Sequence, residues 1–345
     1  MKRITKLGLI ALAITAVTVL SAVSIFALKS KYGVKVGDLN EDGFVDETDA
    51  VIMGRYLAKW DDIYPEEESG DLDFDGDITE DDFVILGRFL AGWKQDNKFG
   101  KAMVYYKQRF AFLGDSITCG VGASSNGNRY SSVLCKMLEA SENNQAISGS
   151  VACIDADSPC QSDLVNLTKL GNNIVPPDVV IVALGINDFD MSLGVEFYGP
   201  GERGKEEKDV KTFYGALEYT CEYLTNVKKN YNPNLRVIFL TPTIASPEAC
   251  TGGPYTYDNS AKNKFGCIRR DYCDIILDVA YEYGFEAIDT NKISGIYYHS
   301  EDDETCSLYL NDGLHPNDKG HAKLADTILA YLLGEIENAA TPIDE

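Results

Sequence analysis

Histidine is scarce in this chain, with three residues in 345. No Cys-x-x-Cys pair and no Cys/His cluster accompanies them, which argues against a zinc site. Basic residues are also short, 31 Lys plus Arg against 54 Asp plus Glu, for a net charge of −23. That deficit opposes binding to nucleic acid or to an anionic membrane surface. The Gly-x-Ser-x-Gly turn of the common α/β-hydrolases is nowhere in the chain. Beyond residue 28 no segment is apolar enough to span a bilayer. What remains is ordinary for a globular protein, 45% hydrophobic and 25% charged, which excludes a disordered or fibrous chain. At about 100–200 residues per domain the length allows two or three domains.

Met1–Lys6 is basic, and Leu7 to Leu28 is an uncharged run of 22 residues. Residues 1–28 therefore read as a secretory signal, with Ala22-Val23-Ser24 at a cleavable spacing. The run is also long enough to cross a membrane as a retained anchor. Either way the rest of the chain is expected outside the cytoplasm, where disulfides form. Of the nine Cys, Cys153 and Cys160, or two of Cys250, Cys267 and Cys273, are close enough in sequence to pair.

More than half of the excess charge lies in residues 34–94, which hold 18 acidic and 5 basic side chains. The concentration suggests a bound cation. The segment is a tandem repeat: Asp38–Trp60 realigns on Asp71–Trp93 with an offset of 33. Each copy opens with twelve residues in the spacing of a calcium loop, ligands at positions 1, 3, 5, 7, 9 and 12 and Gly at 6. Copy one offers Asp38, Asn40, Asp42, the Phe44 carbonyl, Asp46 and Asp49. Copy two offers Asp71, Asp73, Asp75, the Asp77 carbonyl, Thr79 and Asp82. Two Ca²⁺ are expected, with a helix after each loop and no helix-forming run before it. Neither copy can bury its apolar face alone, so the two should pack together.

This segment resembles a type I-like dockerin, the module that plugs cellulosomal enzymes into cohesin-bearing scaffolds. The resemblance implies a small all-α calcium-binding domain over 34–94 and a cohesin partner. It puts cohesin contacts at Glu47, Thr48, Gly54 and Arg55, and at Glu80, Asp81, Gly87 and Arg88. The small-hydroxyl pair usual at loop positions 10 and 11 is absent here. Residues 95–107 read as a linker and 339–345 as a tail.

From residue 108 short apolar runs alternate with amphipathic stretches. Expected strands are Phe110–Leu113, Gln145–Ser148, Val179–Leu184, Val237–Leu240 and Glu286–Ile288. Expected helices are Tyr130–Ala140, Asp209–Asn230, Ala261–Tyr283 and Gly320–Glu337. That alternation predicts a parallel sheet covered on both faces, with ligands at the carboxyl ends of the strands. Four motifs fall there. Phe112–Thr118 (FLGDSIT) sets Ser116 on a tight turn. Asn144–Ser150 (NQAISGS) presents the bare backbone of Gly149. Val179–Phe189 (VVIVALGINDF) ends a central strand just before Asn187, whose amide can donate to an oxyanion. Asn311–Asp318 (NDGLHPND) places Asp312 one turn before His315. A serine nucleophile needs a base, and the base needs an orienting group. His299, in a polar loop, and His321, inside the last helix, suit the part less well.

Over residues 108–338 the chain resembles the SGNH (GDSL-type) hydrolases. The matches are GDSIT with Ser116, the second-block Gly149, GIND with Asn187, and DGLH with Asp312 and His315; Ala146 stands where the second block often has a further Gly. The resemblance implies a three-layer α/β/α, flavodoxin-like domain and acyl transfer. In that scheme Ser116 is the nucleophile, His315 the base and Asp312 its partner, with Ser116, Gly149 and Asn187 as the oxyanion hole and no metal in the chemistry. Paired with a dockerin it implies a secreted, cellulosome-associated, monomeric esterase acting on acetylated plant polysaccharides such as xylan. The Gly- and Tyr-rich loops 191–208 and 246–264, with Tyr198, Tyr255 and Tyr257, could form a sugar-stacking rim. The rival readings are a non-catalytic binding module and a cell-surface lipase or peptidoglycan O-acetylesterase with a structural calcium module.

Overall fold

The computed structural model describes residues 28–29, 35–60 (except 41 and 43), 63, 65, 67–93 (except 74), 99, 104–105, 108–153 (except 139), 169–170, 173–174, 176–191, 199–245 (except 206–208), 260–296 (except 261) and 308–341. Residues 1–27 of the expected signal segment, most of the expected linker, the tyrosines of the expected rim (Tyr198, Tyr255, Tyr257) and His299 lie outside the described residues. The chain divides into two compact units, residues 1–107 with 135–140, and residues 108–134 with 141–345.

In the first unit, helices α1 (Glu47–Leu57) and α3 (Glu80–Leu90) each follow an acidic loop. Each starts at a reciprocal cap. Asp46 accepts from Thr48 N–H while Asp49 accepts from Asp46 N–H; Thr79 and Asp82 repeat the arrangement 33 residues on. The apolar residues Val45, Met53, Leu72 and Leu86 are fully buried, and α1 packs against α3, as a duplicated half-motif requires. Two features depart from expectation. A one-turn helix, α2 (Glu67–Gly70), does precede the second loop. Two-residue strands Leu28–Lys29 and Lys35–Val36 pair antiparallel before the first loop. Both are too short to carry a hydrophobic period, so the sequence gives no sign of them.

The second unit is built on five parallel strands in the order β2-β1-β3-β4-β5, where β1 is Arg109–Gly114, β2 Ser141–Asn144, β3 Val179–Ala183, β4 Arg236–Leu240 and β5 Glu286–Ile288. The central β3 is apolar throughout because it is buried on both faces. On one face Ala111, Leu113, Val180, Val182, Val237 and Phe239 pack on Phe213, Leu217 and Leu224 of α7 (Phe213–Asn230) and Tyr272 and Ile276 of α8 (Arg269–Glu282). On the other, Phe112 meets Tyr130 of α5 (Tyr130–Met137) edge to face at 5.9 Å. Three short helices, α4 (Ser116–Cys119), α6 (Ile186–Met191) and α9 (Thr290–Ile293), follow strands directly, and α10 (Asp318–Leu332) closes the domain.

The second strand is displaced from its expected place. Ser141–Asn144 forms it, and Gln145–Ser148 is the loop that follows. The strand lies at the sheet edge and is polar, so hydrophobicity pointed to the wrong tetrapeptide. Pairing with Arg109–Phe112 decides the register. All four expected helices are shorter than the sequence suggested: α5 stops at Met137, and turns cut into the other three. Thr212 caps α7, and Asn263 accepts from Phe265 and Cys267 N–H ahead of α8. Gly334, at φ +77°, follows α10. Cys267 and Cys273 are both free thiols and so do not pair with each other. Burial pushes the Cys273 thiol up to about 12.

Candidate active site

The strand order reverses between β1 and β3, and the carboxyl ends of strands at such a switch point form a crevice. Strand β1 delivers Ser116 there. Gly114 allows the tight turn: a Cβ on it would lie 2.2 Å from Thr118 Oγ1. Asp115 then caps α4 by accepting the Ile117 N–H at 2.9 Å. Thr118 fastens the turn from behind, sharing a 2.9 Å hydrogen bond with the Tyr130 hydroxyl, while Asn144 Nδ2 donates to its carbonyl at 2.8 Å.

His315 arrives from the other end of the domain. Its loop is closed by a bridge between Leu310 and Pro316 and by Asn311 N–H donating to the His315 carbonyl at 2.8 Å. Asp318, at the start of α10, accepts from Ser124 N–H and Oγ at 2.8 and 2.7 Å, which ties this region to the loop after Ser116. His315 Nε2 lies 2.9 Å from Ser116 Oγ, and Nδ1 lies 2.6 Å from Asp312 Oδ2. The other Asp312 oxygen accepts the N–H groups of Leu314 and His315 at 3.0 and 2.7 Å. Burial would raise the Asp312 carboxyl, but the His315 ring and these two N–H groups together hold it below the usual carboxylate range. An ionised Asp312 favours the tautomer with the proton on Nδ1, leaving Nε2 to accept from the serine.

Strands β2 and β3 bring the remaining two residues. Gly149 sits in a turn at φ +85°, a conformation suited to glycine, and a Cβ on it would meet nothing within 4 Å. The backbone N–H groups of Ser116 and Gly149 donate to no acceptor among the described residues. Asn187 Nδ2 donates one hydrogen to the Ser150 carbonyl at 2.8 Å, and its amide has a second to offer. Asp188, fully buried, accepts from Ala152 and Cys153 N–H, both at 2.9 Å. Asp188, Asp318 and Asn144 were not singled out from the sequence. Only adjacency to a named residue could have flagged Asp188, whereas the contacts of Asp318 and Asn144 arise in the fold. His321 is buried in α10, its ring parallel to Tyr130 at 6.3 Å, and its Nδ1 accepts the Tyr130 N–H at 3.3 Å.

The calcium loops have oxygen donors throughout, the chemistry a hard cation requires. In copy two, one carboxylate oxygen each from Asp71, Asp73 and Asp82 lies within 4.8 Å of the others. Burial and the neighbouring Asp82, Asp75 and Asp71 charges push the Asp73 carboxyl upward, so the cluster gains from a cation. The loop backbone is already wrapped around its first and last carboxylates. Asp71 accepts from Asp75 and Gly76 N–H, and Asp82 from Leu72, Asp73 and Thr79 N–H. Copy one repeats this with Asp38 and Asp49. Asp42, Phe44, Asp75 and Asp77 are exposed, and Asn40, Asp46 and Thr79 are half-buried. The residues present fit the metal. Glu47, Thr48, Arg55, Glu80, Asp81 and Arg88 are exposed, but Gly54 is buried and Gly87 half-buried. Trp60 and Trp93, equivalent by the repeat, are 60% and 65% exposed, with the Arg55 guanidinium 5.3 Å from the Trp60 ring centre.

A serine, an imidazole and a carboxylate in sequence at the head of a parallel α/β sheet define the serine-hydrolase kind of site. The chain belongs to the GDSL-like lipase/acylhydrolase family, whose model matches residues 112–323. Residues 36–91 match the dockerin type I domain, a module that typically binds calcium and implies a cohesin partner. Over 162 residues the chain is 26% identical to the human "isoamyl acetate-hydrolyzing esterase 1 homolog", covering 46% of this chain and 56% of that protein. The chain thus spans little more than half the length of the curated relatives it matches. One solved structure is 28% identical with a TM-score of 0.53, covering 67% of this chain and 98% of that one. A Lactobacillus plantarum protein of known structure matches at 24% identity and the same TM-score, covering 67% and 99%.

Proposed function

We propose that the protein is a secreted serine esterase that removes acetyl or other short acyl groups from plant cell-wall polysaccharides such as xylan, and that its dockerin docks it on a cohesin-bearing scaffold. The observation that carries the chemistry is the unbroken chain from Ser116 Oγ through His315 to Asp312, at 2.9 and 2.6 Å. His315 Nε2 takes the Ser116 proton as Oγ bonds to the ester carbonyl carbon. The Ser116 and Gly149 N–H groups and the Asn187 amide hold the resulting oxyanion. When the tetrahedral intermediate collapses, the sugar oxygen leaves with the proton from His315. Water then attacks the acyl-enzyme with His315 as base, releasing the acid and free Ser116. Asp312 steadies the imidazolium in both half-reactions and keeps its own charge.

Three considerations support the substrate class. A dockerin joins an enzyme to a scaffold, and acetylated polysaccharides suit such an assembly. The curated relatives carry the name of an acetate ester, a small acyl group. The net charge of −23 suits a neutral sugar chain better than an anionic surface. We assign one Ca²⁺ to each loop, structural in role, with the ligands named above. Functional units run 34–94 and 108–338, with 1–28 an export signal. Acetate release from a panel of acetylated xylan, mannan and pectin tests the reading; release from none of them, with turnover of long-chain acyl esters, would replace it with a lipase.

A further inference from the structure

The oxyanion loop runs from β2 to Cys153, and its two ends are held differently. At the start, Gln145 and Ile147 N–H donate to the Phe112 and Gly114 carbonyls of β1 at 2.9 and 3.1 Å. The turn itself is closed by Ser150 N–H donating to the Ile147 carbonyl at 3.0 Å. Its far end meets the first turn of α6, where Asn187 takes the Ser150 carbonyl and Asp188 takes two successive N–H groups, those of Ala152 and Cys153. Gly149 sits between these anchors with open space on its Cβ side, so no side-chain packing there fixes its N–H. The anchors have to do so.

Asp188 is an expensive anchor. It is fully buried, no cation pairs with it among the described residues, and burial pushes its carboxyl upward against the N–H donors. A buried carboxylate is destabilising unless hydrogen bonds compensate. The two adjacent N–H groups here meet different oxygens of the one carboxyl, Ala152 at Oδ2 and Cys153 at Oδ1. An amide would turn an NH₂ toward one of them. The carboxylate is the group that satisfies both.

We propose that Asp188 is a positioning residue of the esterase: by clamping Ala152 and Cys153 it holds the Gly149 N–H where the oxyanion develops. This rests on the esterase reading above. Asp188→Asn keeps the shape and loses one hydrogen bond, leaving two donors facing each other. In the full-length protein its kcat on p-nitrophenyl acetate should fall by about 10- to 100-fold, somewhat less than loss of an oxyanion donor itself, with KM changed by less than about threefold. Affinity for phenylboronic acid, which forms a tetrahedral adduct on a reactive serine, should fall in parallel, and Asp188→Glu should recover part of both. A folded Asp188→Asn enzyme with wild-type kcat and boronate affinity, merely less heat-stable, overturns the proposal. Should Asp188→Asn not fold, amide exchange in the wild type decides. Ala152 and Cys153 should exchange slowly, and Gly149 rapidly until the boronate is bound; fast exchange at Ala152 and Cys153 overturns it. A wild type inert toward aryl acetates would sink the esterase reading and this inference together, whereas an active wild type with an indifferent Asp188→Asn sinks this inference alone.

Discussion

The two calcium loops and the catalytic site solve the same problem, converging polar groups, over very different lengths of chain. In each loop every assigned ligand lies within twelve residues of the first, and the backbone turns around its own carboxylates. In the proposed catalytic site Ser116 and His315 are 199 residues apart and meet because five parallel strands order the loops at one end. A local site is written in spacing and depends on its ion. A non-local site depends on the sheet that orders its loops. The comparison can be broken at several points, in falling order of effect.

Replacing Ser116 by Ala should lower kcat on an aryl acetate by about 10⁶ with the fold intact by circular dichroism, and His315→Ala should cost about as much, because members of a catalytic unit are not additive. Asp312→Asn should cost less than either. A folded Ser116→Ala protein keeping a few per cent of wild-type turnover removes the serine from the mechanism. Calcium removal should act on the other region alone. The loops should unfold as their carboxylates repel each other, while aryl acetate hydrolysis stays near its starting value. Hydrolysis lost at once with the helices α1 and α3 still folded would reverse this division of labour. Asn187→Ala should reduce kcat by about 10²–10³, the usual cost of one oxyanion donor.

The next prediction concerns pH. Burial pushes His321 down to about 4, whereas an ordinary histidine in the unfolded chain titrates near 6.5. Between those values the unfolded state binds more protons, so stability should fall as pH drops from about 6.5 to 4, by on the order of 2–3 kcal/mol. Chemical denaturation at several pH values should show that slope, and His321→Gln should flatten it; an unchanged slope would mean that His321 is not the group responsible. The smallest effect is expected on the dockerin surface. Removing Arg55 or Arg88 singly should barely weaken cohesin binding, and removing both should weaken it more, by roughly 1 kcal/mol, if the duplicated faces substitute for each other. A double variant with wild-type affinity by calorimetry returns both arginines to plain solvent exposure.

How much could be read in advance follows the same division. The acidic repeat was legible as a dockerin, because calcium spacing, Gly at position 6 and the 33-residue offset are properties of a short string. The strand ends carrying Ser116 and Asn187 were legible because an apolar run followed by a polar turn marks where a buried strand surfaces. The edge strand Ser141–Asn144 was not, since an edge strand needs no apolar run to be held by its neighbour. Asp318, which joins the His315 region to the loop after Ser116, was invisible for a related reason. Its partner Ser124 is 194 residues away, and no local pattern encodes that contact.

The sequence alone determined the chemistry on offer: which side chains can bind a hard cation, which can attack an ester, and in what order they occur. Tertiary structure decided which of them meet. Three histidines were available, and the loop closed by Leu310 and Pro316 put His315 beside Ser116 while α10 buried His321 against Tyr130. It also decided that Asp188, one residue past a donor in the same motif, faces the backbone of the oxyanion loop. The physical reason is that hydrogen bonds act over about 3 Å, and only the packing of the sheet with its helices brings groups so far apart in the chain to that distance.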